Sequence, residues 1–344
     1  MTSRSGKYHP LLHRFTVITA VFTLILMFVG GLVKSTESGL SVPDWPTTYG
    51  ENMFLFSPDK MVGGVFYEHG HRLFASLVGA MILFQAGWFL LKESRIWVKR
   101  TAISTLIVVI FQGILGGLTV KFLLPVWISS AHAILAQMTL CLTVLLAIAT
   151  SKYWIQTSLS FVPKKLFYLA LFFTVVVWIQ LVLGAVMRHS EAGLAAFDFP
   201  GMYGEIMPEF SNSHIYNEMR NQFIWDQIDA DGKIPEHRDL LDEHLEDLTP
   251  FKLFIHFAHR VWGLVVFIVS VIYMLSVLKG NSIPVFLKGA CILTTLAIII
   301  QAMLGIFTIW SLRDIYITTS HVANGAFILA LCFFQTAWTW RLKT

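Results

Sequence analysis

The chain is poor in cysteine and in charge, and each shortage excludes a class of protein. Its three cysteines, Cys141, Cys291 and Cys332, all fall inside apolar runs, where a thiol behaves as a small hydrophobe. No CxxC or CxxCH is present, and no cysteine pair lies outside those runs. That excludes a disulfide staple, a dithiol redox centre and covalent haem attachment. Charged residues make up 13% against 56% hydrophobic, and the mean hydropathy is +0.66. Those values describe an integral membrane protein rather than a soluble one. A small-residue cleavage site is missing after the first apolar run, so that run reads as a retained helix rather than a signal peptide. Only some 14 residues precede it, too few for a mitochondrial presequence, and a bacterial cytoplasmic (inner) membrane is the expected location.

What the chain does have is eight apolar runs, at about 15–34, 68–91, 101–121, 127–150, 166–187, 253–278, 285–310 and 316–341. Each is long enough to cross roughly 30 Å of hydrocarbon. Backbone groups in lipid must pair within their own segment, so the expected fold is all-α with eight transmembrane helices. Basic residues gather before the first run (Arg4, Lys7, Arg14), after the second (Lys92, Arg95, Lys99, Arg100), after the fourth (Lys152, Lys164, Lys165) and at the far end (Arg341, Lys343). By the positive-inside rule both termini are cytoplasmic. Residues 188–252 then lie outside, with 14 of the 21 acidic residues and five basic ones. The pI near 8.9 reflects basic cytoplasmic loops, and no nucleic-acid partner is implied.

The most informative feature is a duplication. "GGLVKSTESGLSVPDWPTTYGENM" follows the first run and "GAVMRHSEAGLAAFDFPGMYGEIM" the fifth. Gly30 and Gly184, Glu37 and Glu191, Gly39 and Gly193, Asp44 and Asp198, Pro46 and Pro200, and Tyr49 and Tyr203 are all 154 residues apart, without a gap. Further along, His71 matches His259 at an offset of 188, and Gln112 with Gln301 and His132 with His321 match at 189. The change in offset marks an acidic insertion at about 206–249, expected to be a solvated, partly helical surface segment. Four helices per repeat is an even number, so both halves enter the membrane the same way. The expected architecture is two pseudo-twofold-related four-helix bundles, residues 1–152 and 153–344.

Six of the twelve histidines lie in or beside apolar runs: His69, His71, His132, His256, His259 and His321. A single intramembrane histidine is commonly a hydrogen-bonded core residue, yet ionisable groups at membrane depth are costly and point to function. His71, His132, His259 and His321 each lie about five to seven residues inside the outer end of an even-numbered run, roughly 7–10 Å deep. Two opposed imidazoles per bundle suit axial ligation of haem iron from both sides, or from one side with the other open. Zinc would require three or four protein ligands. His69, about 200° around the helix from His71, reads as structural.

The halves differ three residues before the first ligand, where Glu68 corresponds to His256. Positions i and i+3 share a helix face, which puts Glu68 beside His71. A carboxylate there can accept or relay a proton, or steady a developing positive charge. On this asymmetry the N-terminal half does chemistry and the C-terminal half passes electrons. Arg72 and Arg260 suit either headgroups or haem propionates, and Lys34 and Arg188 are weaker candidates for the same task. The repeated Asp44-Trp45-Pro46 and Asp198-Phe199-Pro200 suit caps over the two pockets as well as plain loop packing. A transporter is disfavoured because the polar residues cluster near one face.

"ESGLSVPDWP", the E-x-x-H-R of Glu68 to Arg72, His132, and the H-R of His259 and Arg260 together resemble the haem A synthase family across all eight helices. The resemblance implies a haem b in the C-terminal bundle, ligated by His259 and His321. It also implies that His71 and His132 receive haem O, whose ring methyl is oxidised to a formyl group in successive steps to give haem A. Implied partners are haem O synthase, cytochrome oxidase assembly factors, membrane lipid and an electron acceptor; a homo-oligomer is compatible. Some members carry a cysteine pair in the first outer loop, and its absence here excludes a thiol role. The rival expectation is a di-haem cytochrome b-type carrier or quinol oxidoreductase.

Overall fold

A computed structural model of the chain describes residues 6–157, 162–230 and 247–343. Eight helices are long and apolar enough to cross a membrane: α1 (Pro10–Ser35), α2 (Gly64–Lys92), α3 (Ile96–Lys121), α4 (Val126–Thr150), α6 (Lys164–His189), α8 (Pro250–Leu278), α9 (Val285–Trp310) and α10 (Ile315–Leu342). A short α5 (Lys152–Gln156) follows α4, and α7 (Ser213–Ala230) lies in the connection before α8. Among the described residues the only β pairing is isolated bridges, two of them equivalent: Thr48 with Glu51 and Met202 with Glu205.

Helix starts follow from the residues that stand there. Pro10 opens α1 and Pro250 opens α8, positions where a missing N–H costs nothing. The Thr249 hydroxyl accepts from Lys252 N–H at 3.2 Å, and Asp314 accepts from Tyr316 and Ile317 N–H at 3.0 and 2.9 Å to cap α10. Hydropathy places several starts late, including α1 at 15 rather than Pro10 and α3 at 101 rather than Ile96; two more have a packing reason. The second helix begins at Gly64 rather than 68 and the sixth membrane helix at Pro250 rather than 253, because their first turns pack on protein. Gly64 abuts Ser41 of the preceding loop, and Lys252 and Leu253 are buried.

The first four helices close a ring: α1 packs on α2, α2 on α3, α3 on α4, and α4 returns to α1. Helices α6, α8, α9 and α10 close a second ring in the same order, and the rings meet where α1 and α4 face α10 and α6. That seam uses small and hydroxylated residues. A Cβ on Gly31 would stand 3.1 Å from the Thr319 methyl, and Thr319 Oγ1 donates to Ser35 Oγ at 2.9 Å. The end carrying residues 36–63, 122–125, 190–212 and 311–314 is called the loop end below. At the opposite end Val162 bridges Lys343, and Trp154 meets Trp338 edge to face at 5.0 Å.

The insertion differs from expectation. Residues 231–246 lie outside the described part, but α7 before them does more than coat the surface. Tyr216 stacks on Tyr203 and Phe223 on Phe197, each pair with ring centres 4.3 Å apart, while Ile224 packs with Leu194 and Leu312. Residues 216, 223 and 224 share one helix face, a stripe too short to stand out in an acidic segment.

Candidate functional site

His71, His132, His259 and His321 lie on α2, α4, α8 and α10, four helices that all begin at the loop end, so the imidazoles sit at similar depth. Each ring rests against a glycine of the preceding membrane helix. A Cβ would come within 3.1 Å of His71 Cε1 at Gly30, 3.0 Å of His132 at Gly116, 3.0 Å of His259 at Gly184 and 3.1 Å of His321 at Gly305. Any larger residue would push the ring off the helix it leans on. One turn before three of these glycines stands a glutamine that donates from Nε2 to the backbone carbonyl of the facing histidine. Gln112 reaches His132 O at 3.0 Å, Gln180 reaches His259 O at 3.0 Å and Gln301 reaches His321 O at 2.9 Å. The fourth position is Leu26. Sequence reasoning paired Gln112 with Gln301 but missed Gln180 and the glycine contacts; the Q-x-x-x-G in "QGILG", "QLVLG" and "QAMLG" was the available signal.

Ring hydrogen bonding varies among the histidines: Gln180 Nε2 lies 3.2 and 3.3 Å from the His259 ring nitrogens, Gln112 Nε2 lies 3.4 Å from His132 Nε2, and His69 Nε2 is buried without a partner. His69 Nδ1 bonds Thr48 Oγ1 at 3.0 Å and His256 Nδ1 donates to Ala192 O at 2.8 Å, so both tie a helix to its loop. Among the described residues the rings of His71 and His321 carry no hydrogen bond, and the Nδ1 atoms of His71, His132 and His321 are buried without a partner. Buried polar atoms are normally paired, and orphaned ones in repeated positions indicate a ligand. The ring centres of His259 and His321 are 6.4 Å apart. That spacing leaves room for a metal ion with a bond of about 2 Å to one nitrogen of each ring. The second ring of helices therefore fits haem iron held from both faces.

Arginine and glutamate close the site at the loop end. Arg72 donates to Val42 O, Asp44 O and Thr47 O at 2.8, 2.7 and 3.2 Å; Arg260 donates to the equivalent Ala196, Asp198 and Gly201 carbonyls at 3.1, 2.7 and 2.6 Å. Sequence offered headgroups or propionates for these arginines; in the structure both also anchor the loops. Arg260 Nε is a remaining buried donor with no partner. Each loop is further braced by its aspartate: Asp44 accepts from Tyr49 and Gly50 N–H, Asp198 from Tyr203 and Gly204 N–H, all at 2.7–2.9 Å. Positive φ at Tyr49, Gly50, Tyr203 and Gly204 makes the turn. Trp45 lies on Gly117, next to the glycine that backs His132, where a Cβ would stand 2.5 Å from its ring.

Glu68 is buried, and both carboxylate oxygens are engaged: Oε1 accepts from Arg72 at 2.5 Å and Oε2 from Val42 N–H at 2.7 Å. It thus joins the His71 helix to the first loop, as His256 joins the His259 helix to the second.

A charged cluster seals the seam between the rings. Arg313 donates to Glu191 at 2.9 Å and Glu37 at 2.7 Å, Lys34 bonds Glu37 at 2.8 Å and also Glu191, and Arg188 reaches Ser35 Oγ at 2.7 Å and Gly31 O at 2.9 Å. Burial alone would raise the Glu191 carboxyl, but Arg313 and then Lys34 outweigh it and hold it below the usual carboxylate range. Lys34 and Arg188, weaker anion candidates by sequence, serve this seam.

Fold and site define a multi-pass membrane protein organised around paired intramembrane histidines. The chain belongs to the COX15-CtaA family, described as cytochrome oxidase assembly proteins, whose family model matches residues 13–333. Relatives named haem A synthase include one from Alkalihalophilus pseudofirmus, 32% identical over 58% of this chain and 67% of the relative. Others are from Halalkalibacterium halodurans, 26% identical over 94% of each chain, and Shewanella oneidensis, 25% identical over 91% of this chain and 92% of the relative.

Proposed function

We propose that the protein is a haem A synthase that oxidises the ring methyl of haem O to a formyl group by successive steps. His71 and His132 would receive the substrate, and His259 and His321 would hold a haem b that carries electrons. The observation that carries this reading is the His259–His321 spacing of 6.4 Å, in a chain of the cytochrome oxidase assembly family. The haem supplies the redox centre; the protein's own groups orient and enclose it. The glycine behind each imidazole sets the ring plane, and the arginine-anchored loops close the pockets toward the loop end. Glu68 is the acidic member of the substrate half. With both oxygens accepting hydrogen bonds, its contribution is electrostatic stabilisation and alignment of the His71 helix rather than proton abstraction.

In this reading residues 1–152 and 153–344 are pseudo-twofold-related bundles in a bacterial inner membrane, both termini cytoplasmic and the haem sites toward the outer face. Haem O synthase would supply the substrate and cytochrome oxidase assembly factors would take the product. The near equality of the four histidine stations favours a second reading, a di-haem b-type carrier. Co-expression with a source of haem O, then chromatography of the extracted pigments, tests the two. Haem A beside haem B is expected; haem B alone, at two per chain, would sink the synthase reading.

A further inference from the structure

The four histidine stations are copies of one device with one part missing. Three have a ring against a glycine and an amide bridging the two helices one turn away, at Gln112–His132, Gln180–His259 and Gln301–His321. The third bridge is reinforced, because Asn324 Nδ2 donates to Gln301 Oε1 at 2.8 Å and to Ala297 O at 2.9 Å. At the fourth station the glycine is kept at Gly30 and the amide is replaced by Leu26, which has nothing to donate. Among the described residues no hydrogen bond joins α1 to α2, so His71 is the station whose helix pair lacks such a bridge.

A second, independent difference falls on the same half. Tyr203 of the second loop is 9% exposed beneath Tyr216 of α7, whereas its equivalent Tyr49 in the first loop is 53% exposed. The half that lacks the fourth amide is thus also the half whose loop tyrosine is left uncovered.

We propose that Leu26 makes His71 the exchangeable axial position of the protein. With no amide opposite it, the His71 segment of α2 can shift against α1 without breaking an interhelical hydrogen bond, the first loop moving with it through Glu68, His69 and Arg72, which would let a haem enter and leave the first half while the three clamped histidines keep their places. Leu26 is then a positioning residue that acts through His71. This rests on the reading that the first half receives a haem substrate, which must be released as product. A permanently held redox haem has no such need, and the second half carries amides at both of its stations.

The test uses purified holoprotein in detergent, with apomyoglobin as the acceptor of released haem and chromatography to identify each pigment. Leu26→Gln supplies the missing amide and should slow release from the first half by roughly 3- to 20-fold, the range of one interhelical hydrogen bond in a membrane protein. The absorption spectrum should stay that of histidine-ligated haem. The sign is diagnostic, because a merely disruptive substitution speeds haem loss. Unchanged or faster release from folded Leu26→Gln overturns the proposal. If that variant does not fold, Leu26→Asn places a shorter amide at the same position and should likewise slow release from the first half; unchanged or faster release from it overturns the proposal equally. The failure of the functional reading looks different. Haem B as the sole pigment in both release phases refutes the synthase assignment, while a slowed phase in Leu26→Gln still supports the clamp.

Discussion

The two loops at the loop end share a skeleton and differ in what lies over and under it. Arg72 and Arg260 grip equivalent carbonyls, Asp44 and Asp198 receive equivalent N–H groups, and the tyrosine hydroxyls of Tyr49 and Tyr203 both donate to the carbonyl eight residues earlier at 2.5 Å. Over the second loop lies α7; over the first, among the described residues, there is no equivalent α-helix. Under the first loop stands Glu68, under the second His256. A duplicated scaffold thus supplies two pockets of one geometry, and a few unmatched residues, Leu26, Glu68, Leu124 and Arg313 among them, make the halves unequal.

The hardest test of the comparison removes a ligand. His259→Ala or His321→Ala should abolish the haem b signal of the second half in reduced-minus-oxidised spectra, since no third imidazole of that ring of helices stands at that depth. A normal histidine-ligated spectrum in either variant would mean that the pair is misassigned. Next in size is the acidic asymmetry. Glu68→Gln should lower haem A formation by roughly 100-fold or more, leaving haem O or an alcohol intermediate in the extract. His256→Gln should leave product formation near normal, because the amide can still donate to Ala192 O. Equal rates in the two variants would erase the functional distinction between the halves.

A smaller effect is expected from filling the glycine contacts. Gly184→Ala and Gly30→Ala should each cost about 1–3 kcal/mol by overpacking against the ring. Because Gln180 fixes the His259 backbone and Leu26 does not fix that of His71, the Gly184 variant should show the larger loss of haem retention on gel filtration. A larger loss from Gly30→Ala would reverse the order of rigidity proposed here. The smallest effect is at the seam. Glu191 has its folded pKa depressed, so the stability it contributes is present above an ordinary carboxyl pKa near 4.5 and is lost as pH falls below it. Glu191→Gln should remove about 1 kcal/mol at pH 7 and little near pH 2, below the depressed folded pKa, read from thermal unfolding at the two pH values. An equal cost at both would show that the charge does not hold the rings together.

Much of this was legible in one dimension, and the reason differs by feature. The helices were readable because lipid demands twenty or so apolar residues per crossing, a purely local requirement. The duplication was readable because loop and ligand residues keep constant offsets, and the four histidines stood out because charge-bearing groups are rare at that depth. The uses of Arg72 and Arg260 were not readable, since a guanidinium serves a carbonyl, a headgroup or a propionate equally well. The carbonyls it found lie 25 to 30 residues away from Arg72 along the chain.

The sequence by itself determined eight membrane-length helices, a repeat and four histidines at matched depth, because hydropathy and spacing are properties of the chain. Only the tertiary structure decided that each imidazole leans on a glycine, that an amide bridges three of the four helix pairs, and that Glu68 and Arg72 are bonded to each other and to the first loop. Those facts depend on which helix faces turn toward one another, and in lipid, where both faces of a helix are apolar, periodicity does not say which face that is.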